Sequence, residues 1–241
     1  MDNYFITRPP YSKIRMNKGK TNLVRFINKG FRYLKLGLAI NPIDTAVDMN
    51  TIEQRINYFH LLDQVIANGI DGDVIELGCF TGQCALILQK VIEQRRSPKQ
   101  LYLYDSFDIK FRETGSIEEV LKNNFINAGL KVPLLKKGFF EETLPTMLPE
   151  KISFAHIDCG FGGDKIAHSK VVQYCLNEIY PKMSPGAICV LMDYNDPEIN
   201  GVGHDANPGV KIACDEFLKD KPEEMVCLYG NQFFHAYFRK L

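Results

Sequence analysis

Apolar positions change their period along this chain, and each change marks an element. From Thr21 to Leu38, the residues Leu23, Val24, Ile27, Phe31, Leu34 and Leu38 recur at helical spacing with basic residues between them, which predicts a basic amphipathic helix. Ile52, Ile56, Phe59, Leu62 and Ile66 repeat that spacing over Thr51–Asn68, and Gly69-Ile70-Asp71-Gly72 ends it. After Gly72 the pattern shortens. The runs Val74–Cys79, Leu101–Phe107, Val132–Leu135, Ile152–Asp158 and Ala187–Asp193 are apolar throughout, as strands covered on both faces are. Helical stretches lie between them at Cys84–Arg95, Ile117–Ala128, Glu141–Met147 and Ser169–Tyr180, and Val210–Leu218 follows the fifth strand. This alternation predicts an α/β domain with a mostly parallel sheet between two layers of helices. Glu224–Tyr229 and Phe233–Arg239, joined by Gly230-Asn231-Gln232, read as a hairpin, so the last pair of strands is expected to be antiparallel. The organisation expected is one domain over residues 48–241 behind a basic extension over residues 1–47.

Composition narrows the class. The chain has 241 residues, 45% hydrophobic and 24% charged, and no formal net charge, so no global field points to nucleic acid. The charge is unevenly placed: nine basic residues face only Asp2 in the first forty, which leaves residues 41–241 with 20 basic against 28 acidic residues. A basic amphipathic helix can lie on an anionic membrane surface, although packing on the domain or on a second subunit is the plainer expectation. Seven cysteines occur without a C-x-x-C pair, which fits neither a zinc site nor a disulfide framework and suits a reducing compartment. No apolar run spans a membrane and no signal-peptide pattern opens the chain, so a cytoplasmic location is expected.

Ligands of open α/β sheets bind beyond the carboxyl ends of the strands. The first strand runs into Glu76-Leu77-Gly78-Cys79-Phe80-Thr81-Gly82, where Gly78 allows a tight turn and close backbone approach, and Gly82 lets the next helix pack on the strand. The spacing is E-x-G-x-x-x-G, not the G-x-G-x-x-G that seats a pyrophosphate, which argues against a nicotinamide dehydrogenase. The second strand ends in Tyr104-Asp105-Ser106-Phe107. Asp105 there is placed to accept hydrogen bonds from both hydroxyls of a ribose, or else to cap the turn that follows. Loop and acid in register favour a nucleoside ligand.

Several segments in order carry a family resemblance over roughly residues 48–218. They are Gly72-Asp73-Val74-Ile75-Glu76-Leu77-Gly78, Tyr104-Asp105-Ser106-Phe107-Asp108, Lys137-Gly138-Phe139-Phe140-Glu141-Glu142-Thr143-Leu144-Pro145, His156-Ile157-Asp158, Ile179-Tyr180-Pro181-Lys182-Met183-Ser184-Pro185-Gly186, Asp193-Tyr194 and Gly209-Val210-Lys211. The chain resembles the macrocin O-methyltransferase family, class I methyltransferases that use S-adenosylmethionine and methylate sugar hydroxyls of natural-product glycosides. The resemblance implies a Rossmann-like sheet whose last strand is reversed, and a cofactor surrounded by Glu76, Gly78, Asp105, Ser106, Gly138 and Phe139. It also implies clustered aspartates that hold a divalent metal, magnesium, against the acceptor hydroxyls. The small-molecule acceptor would be a sugar or glycoside and the assembly a homo-oligomer.

An alcohol is a poor nucleophile at neutral pH and needs a base or a metal that lowers its pKa. Asp158 and Asp193 end the fourth and fifth strands, so neighbouring strands would bring both carboxylates to one sheet edge, as oxygen ligands or as bases. Here the chain departs from the family. Met192-Asp193 stands where two adjacent aspartates are usual, and the segment after Asp158 is longer, so that Asp164 either replaces a missing acid or caps the next helix. His204, beside Asp205 in the polar segment Asn195–Pro208, is a candidate base or a wall of the acceptor pocket, whereas His156 reads as a core histidine. The family's histidine between the second and fourth strands has no counterpart between His60 and His156. Two other readings stand beside a sugar O-methyltransferase: an enzyme for an amine or a lipid-linked sugar, and a binding protein that keeps the fold without turnover. Nucleic-acid methylation is disfavoured, because the domain is not basic and no N-P-P-Y-like motif occurs.

Overall fold

Alternation along single strands builds two cores at once. The structure is a computed structural model that describes residues 18–40, 51–110, 114–159, 163–200, 205, 207–230 and 234–241. Helix α1 spans Lys18–Tyr33 and α2 Ile52–Ala67, and the sheet then begins with β1, Asp73–Leu77. There follow α3 (Gln83–Gln94), β2 (Leu101–Asp105), α4 (Ile117–Asn127), β3 (Leu134–Lys137), α5 (Phe140–Met147) and β4 (Ile152–Ile157). The second half contains α6 (Lys165–Ile179), β5 (Met183–Met192), α7 (Pro197–Asn200), α8 (Gly209–Leu218), β6 (Val226–Leu228) and β7 (His235–Arg239). Val74, Leu101, Leu103, Phe154, Ile188 and Val190 face α2, α3 and α4. Ile75, Leu77, Ile152, Ala155, Cys189 and Leu191 face the opposite layer of α5, α6 and α8. Each fully buried Val, Leu, Ile or Phe contributes about 1.5–3 kcal/mol, which holds these strands in the interior between the two helix layers.

The seven strands lie in the order β3-β2-β1-β4-β5-β7-β6. All pairs through β5 are parallel, while β7 runs antiparallel to both β5 and β6. This is the class I methyltransferase plan, with the chain leaving β1 in opposite directions on either side. The switch between β1 and β4 opens a crevice at the carboxyl edge, where Leu77, Asp105, Ile157 and Met192 end their strands.

Element boundaries moved for identifiable reasons. β5 starts at Met183 rather than Ala187, because Gly186 (φ +84°) absorbs a bulge that Ser184-Pro185-Gly186 disguised as a turn. α6 starts at Lys165 rather than Ser169, capped by Asp164. α1 covers Lys18–Tyr33 instead of Thr21–Leu38, since Lys35 (φ +53°) and Gly37 (φ +63°) end it in left-handed turns. None of its residues is buried.

Candidate active site

The loop from β1 to α3 is held by its backbone. Gly78 (φ +82°) lies so close to β4 that a Cβ there would collide with the carbonyl oxygen of Asp158. Its N–H donates to Tyr104 O at 2.9 Å, and Asp158 N–H donates to Leu77 O at 2.9 Å, so the loop is fastened to both neighbouring strand ends. Gly82 (φ +82°) serves a different contact from the one expected. A Cβ there would meet Phe125 and Leu121 of α4 at 3.0 and 3.1 Å, so the glycine admits α4 and not the strand. Asp105 ties this loop to β2: Oδ2 accepts from Cys79 N–H (3.0 Å) and Phe80 N–H (2.9 Å), and Oδ1 from Phe107 N–H (2.8 Å). Three of roughly four lone-pair positions on that carboxylate are thus engaged, so loop tie and turn cap precede any ribose contact.

Gly138 N–H donates to Asp105 O at 3.1 Å, which brings the β3–α5 loop to the same edge. Phe139, next to it, is 61% exposed and offers an open aromatic face. Ser106 Oγ accepts from Asp108 N–H at 3.3 Å and shapes the β2 exit. Gly78, the amides of the loop, Asp105, Gly138 and Phe139 can therefore hold a nucleoside cofactor.

Glu76, which the resemblance places around the cofactor, lies in β1 just before this loop, and its Oε2 has no hydrogen-bond partner among the described residues. It is 1% exposed, and its Oε1 meets Nδ1 of His156, its cross-strand partner, at 2.8 Å. Burial raises the carboxyl pKa of Glu76, with His156 opposing; for His156, burial works against the charged ring, but Glu76 outweighs it and the pKa rises. The Tyr58 ring lies on His156 with centroids 4.8 Å apart.

Strand order brings Asp158 and Asp193 together. They line one cleft with His168, Asn207, Met192 and Val210. Asp158 is exposed at the cleft and packed against the Gly78 loop. Desolvation there, opposed by His156 and reinforced by Asp193, Glu76 and Asp105, pushes its pKa up to about 7. Asp193 is in the left-handed region (φ +61°), and Asn207 Nδ2 donates to its Oδ2 at 2.6 Å. His168 is anchored through Nε2 to Cys159 O at 2.7 Å.

The metal ligands suggested by the resemblance do not converge. Asp164 Oδ1 accepts from Ile166 N–H (3.1 Å) and Ala167 N–H (2.8 Å), so it caps α6 and does not join Asp158 and Asp193. Met192, in place of the family's acid, is 7% exposed, and its sulfur accepts from Tyr58 Oη and Gln54 Nε2, each at 3.2 Å. His204 lies outside the described residues. Asn207, Gln54 and Tyr58 had gone unremarked. The signal for the last two was a pair of polar-tipped side chains four residues apart on a helix whose apolar face had already been counted.

Residues 42–117 match the family model described as Macrocin-O-methyltransferase (TylF). That match covers about a third of the chain, and over it the chain is similar to this family. The mycinamicin III 3''-O-methyltransferase of Micromonospora griseorubida is 22% identical over 173 residues, which cover 62% of this chain and 65% of that protein. The match thus spans a little under two thirds of that relative's length. Among solved structures, the O-methyltransferase NovP superposes with a TM-score of 0.63 at 19% identity, covering 80% of this chain and 83% of NovP. CalS11, described as a TDP-rhamnose 3'-O-methyltransferase, gives 0.58 at 17% identity over 94% and 96% of the two chains. These relatives and structural neighbours are methyltransferases, and the solved ones share the fold of this chain.

Proposed function

We propose that this chain transfers a methyl group from S-adenosylmethionine to a hydroxyl of a sugar or glycosylated small molecule, with Asp158 as the proton acceptor. The observation that carries the reading is that Asp158 and Asp193, closing neighbouring strands, line one narrow cleft, with the Asp158 backbone against Gly78. The methyltransferase relatives, two of them named for O-methylation at a primed sugar position, supply the reaction class.

Bound at the loop, the cofactor supplies an electrophilic methyl group on a sulfonium. The chain does the rest. Gly78, Asp105 and Gly138 hold the loops that position the cofactor, and Phe139 offers its face. Asp158, with a pKa near 7, is half ionised at neutral pH and takes the acceptor hydroxyl proton as the oxygen gains its methyl group. Asp193, fixed by Asn207, stands beside it and keeps the local charge negative. Most of the acceleration comes from holding acceptor oxygen and methyl carbon in line.

Magnesium does not fit this residue set. A divalent cation would find two carboxylates, one of them half protonated near pH 7 and the other engaged by Asn207. The third position is a methionine sulfur, a soft donor unsuited to a hard cation. The test is turnover of S-adenosylmethionine against a panel of sugars and glycosides, with mass detection of the product, in the presence and absence of EDTA. An O-methylated sugar formed in EDTA supports the reading. Methylation confined to amines, or cofactor binding with no product from any acceptor, overturns it.

A further inference from the structure

We infer that α1, together with the segment 34–40 that follows it, is a docking surface for an anionic lipid bilayer. Residues 18–40 carry Lys18, Lys20, Arg25, Lys29, Arg32 and Lys35 and not one acidic residue. Leu23 (59% exposed), Phe26 (75%), Leu34 (63%) and Leu38 (61%) are bare, and no residue of the helix is buried by the rest of the chain. An exposed apolar surface of this kind, set among cations, is the pattern of a binding face.

Charge selects the partner. Asn28 accepts from and donates to the backbone of Ile40 (2.7 and 3.0 Å), which folds the segment after α1 back along the helix. The groove this creates is lined by Arg25, Lys29 and Arg32 beside Phe26, Leu38 and Ala39. Cations set directly against aliphatic and aromatic carbon match a phosphate headgroup above an acyl chain, with the long basic side chains reaching up as the apolar groups enter. No described helix is long and apolar enough to cross a membrane, so the contact lies on the surface. The acidic remainder of a second copy is the competing counter-surface, and the experiment separates the two. The surface does not depend on the methyltransferase reading and survives its failure.

The measurement is co-sedimentation of the full chain with phosphatidylcholine vesicles, with and without phosphatidylglycerol, alongside sedimentation velocity of the protein alone. Binding to the anionic vesicles only, weakening as salt rises, is expected. The combined substitution Arg25→Gln, Lys29→Gln and Arg32→Gln should lower the partition coefficient on the order of a hundredfold, at about 1 kcal/mol for each cation near the surface. Phe26→Ser, which leaves the charge alone, should also weaken binding. These side chains are exposed, so the variants keep the wild-type melting temperature. No binding to anionic vesicles overturns the proposal, as does binding that the variants leave unchanged. A wild-type oligomer that the same substitutions dissociate, without vesicle binding, assigns the face to a second copy instead.

Discussion

The two sides of the carboxyl edge are built on opposite terms. At the ends of β1 and β2, nearly every polar group is engaged: Asp105 accepts from three backbone amides, and the amides of Gly78 and Gly138 each donate to β2. At the ends of β4 and β5, Asp158 is left in the cleft with its pKa pushed up to about 7, and Asp193 sits in a strained backbone conformation with an Asn207 side chain against it. One side trades chemical freedom for geometry and the other does the reverse. A cofactor cradle needs a fixed shape, whereas a base needs a carboxylate that still exchanges protons.

The largest expected effect attacks the rigid side. Gly78→Ala forces a Cβ into the Asp158 carbonyl from a left-handed conformation, so it should destabilise the fold by about 3 kcal/mol or displace the loop. Thermal melting with and without S-adenosylhomocysteine reads both outcomes. An unchanged melting point with an unchanged ligand shift would show that the loop is not the tight cradle described.

Asp158→Asn attacks the other side. It should lower kcat by about 10²–10⁴ while leaving the affinity for S-adenosylhomocysteine intact. The wild-type rate should rise as pH passes through 7 and then level off, and the variant should lose that step. Stability carries the same signature with a definite sign. The folded-state pKa lies above the unfolded value near 4, so the folded protein holds a proton that the unfolded chain has lost. This group's stabilisation is therefore present at low pH and declines as pH rises from about 4 through 7. The Asn variant should melt higher than the wild type at pH 8 and gain little at pH 4, a small effect because the carboxylate is open to the cleft.

Asn207→Ala removes one hydrogen bond to a charged group, worth about 1.5–3 kcal/mol, and should cost about tenfold in kcat with cofactor affinity unchanged. Equal losses in turnover and melting temperature would make Asn207 a structural residue only. The smallest expected effect is that of a chelator: EDTA should leave turnover within experimental error, because Met192 and Asp164 are committed to packing and to a helix cap.

Legibility followed the range of the interactions. The alternation of apolar runs and helical stretches located every strand of the sheet, because burial on two faces demands it of local sequence. Edges were less legible: the bulge at Gly186 and the cap at Asp164 depend on contacts with Lys240 and with the first turn of α6. Glu76 and Gly82 show the limit at the site. Their neighbours were not legible: Glu76 meets a histidine 80 residues away, and Gly82 packs on a helix that begins at Ile117. Met192 was visible as a departure from the family pattern, but its consequence was not, since Gln54 and Tyr58 reach it from 138 and 134 residues away.

The sequence by itself determined the layer architecture, the glycine loop at the end of β1, the carboxylates closing β4 and β5, and the concentration of positive charge before residue 41. These follow from hydrophobic periodicity, from backbone conformations that favour glycine, and from composition. The tertiary structure alone decided which polar groups remain available. Asp105 and Asp164 accept from backbone amides, Glu76 meets His156, and Asp158 is left exposed. Availability depends on what surrounds a group in space, and desolvation and partner geometry are set by strands and helices far apart in the chain.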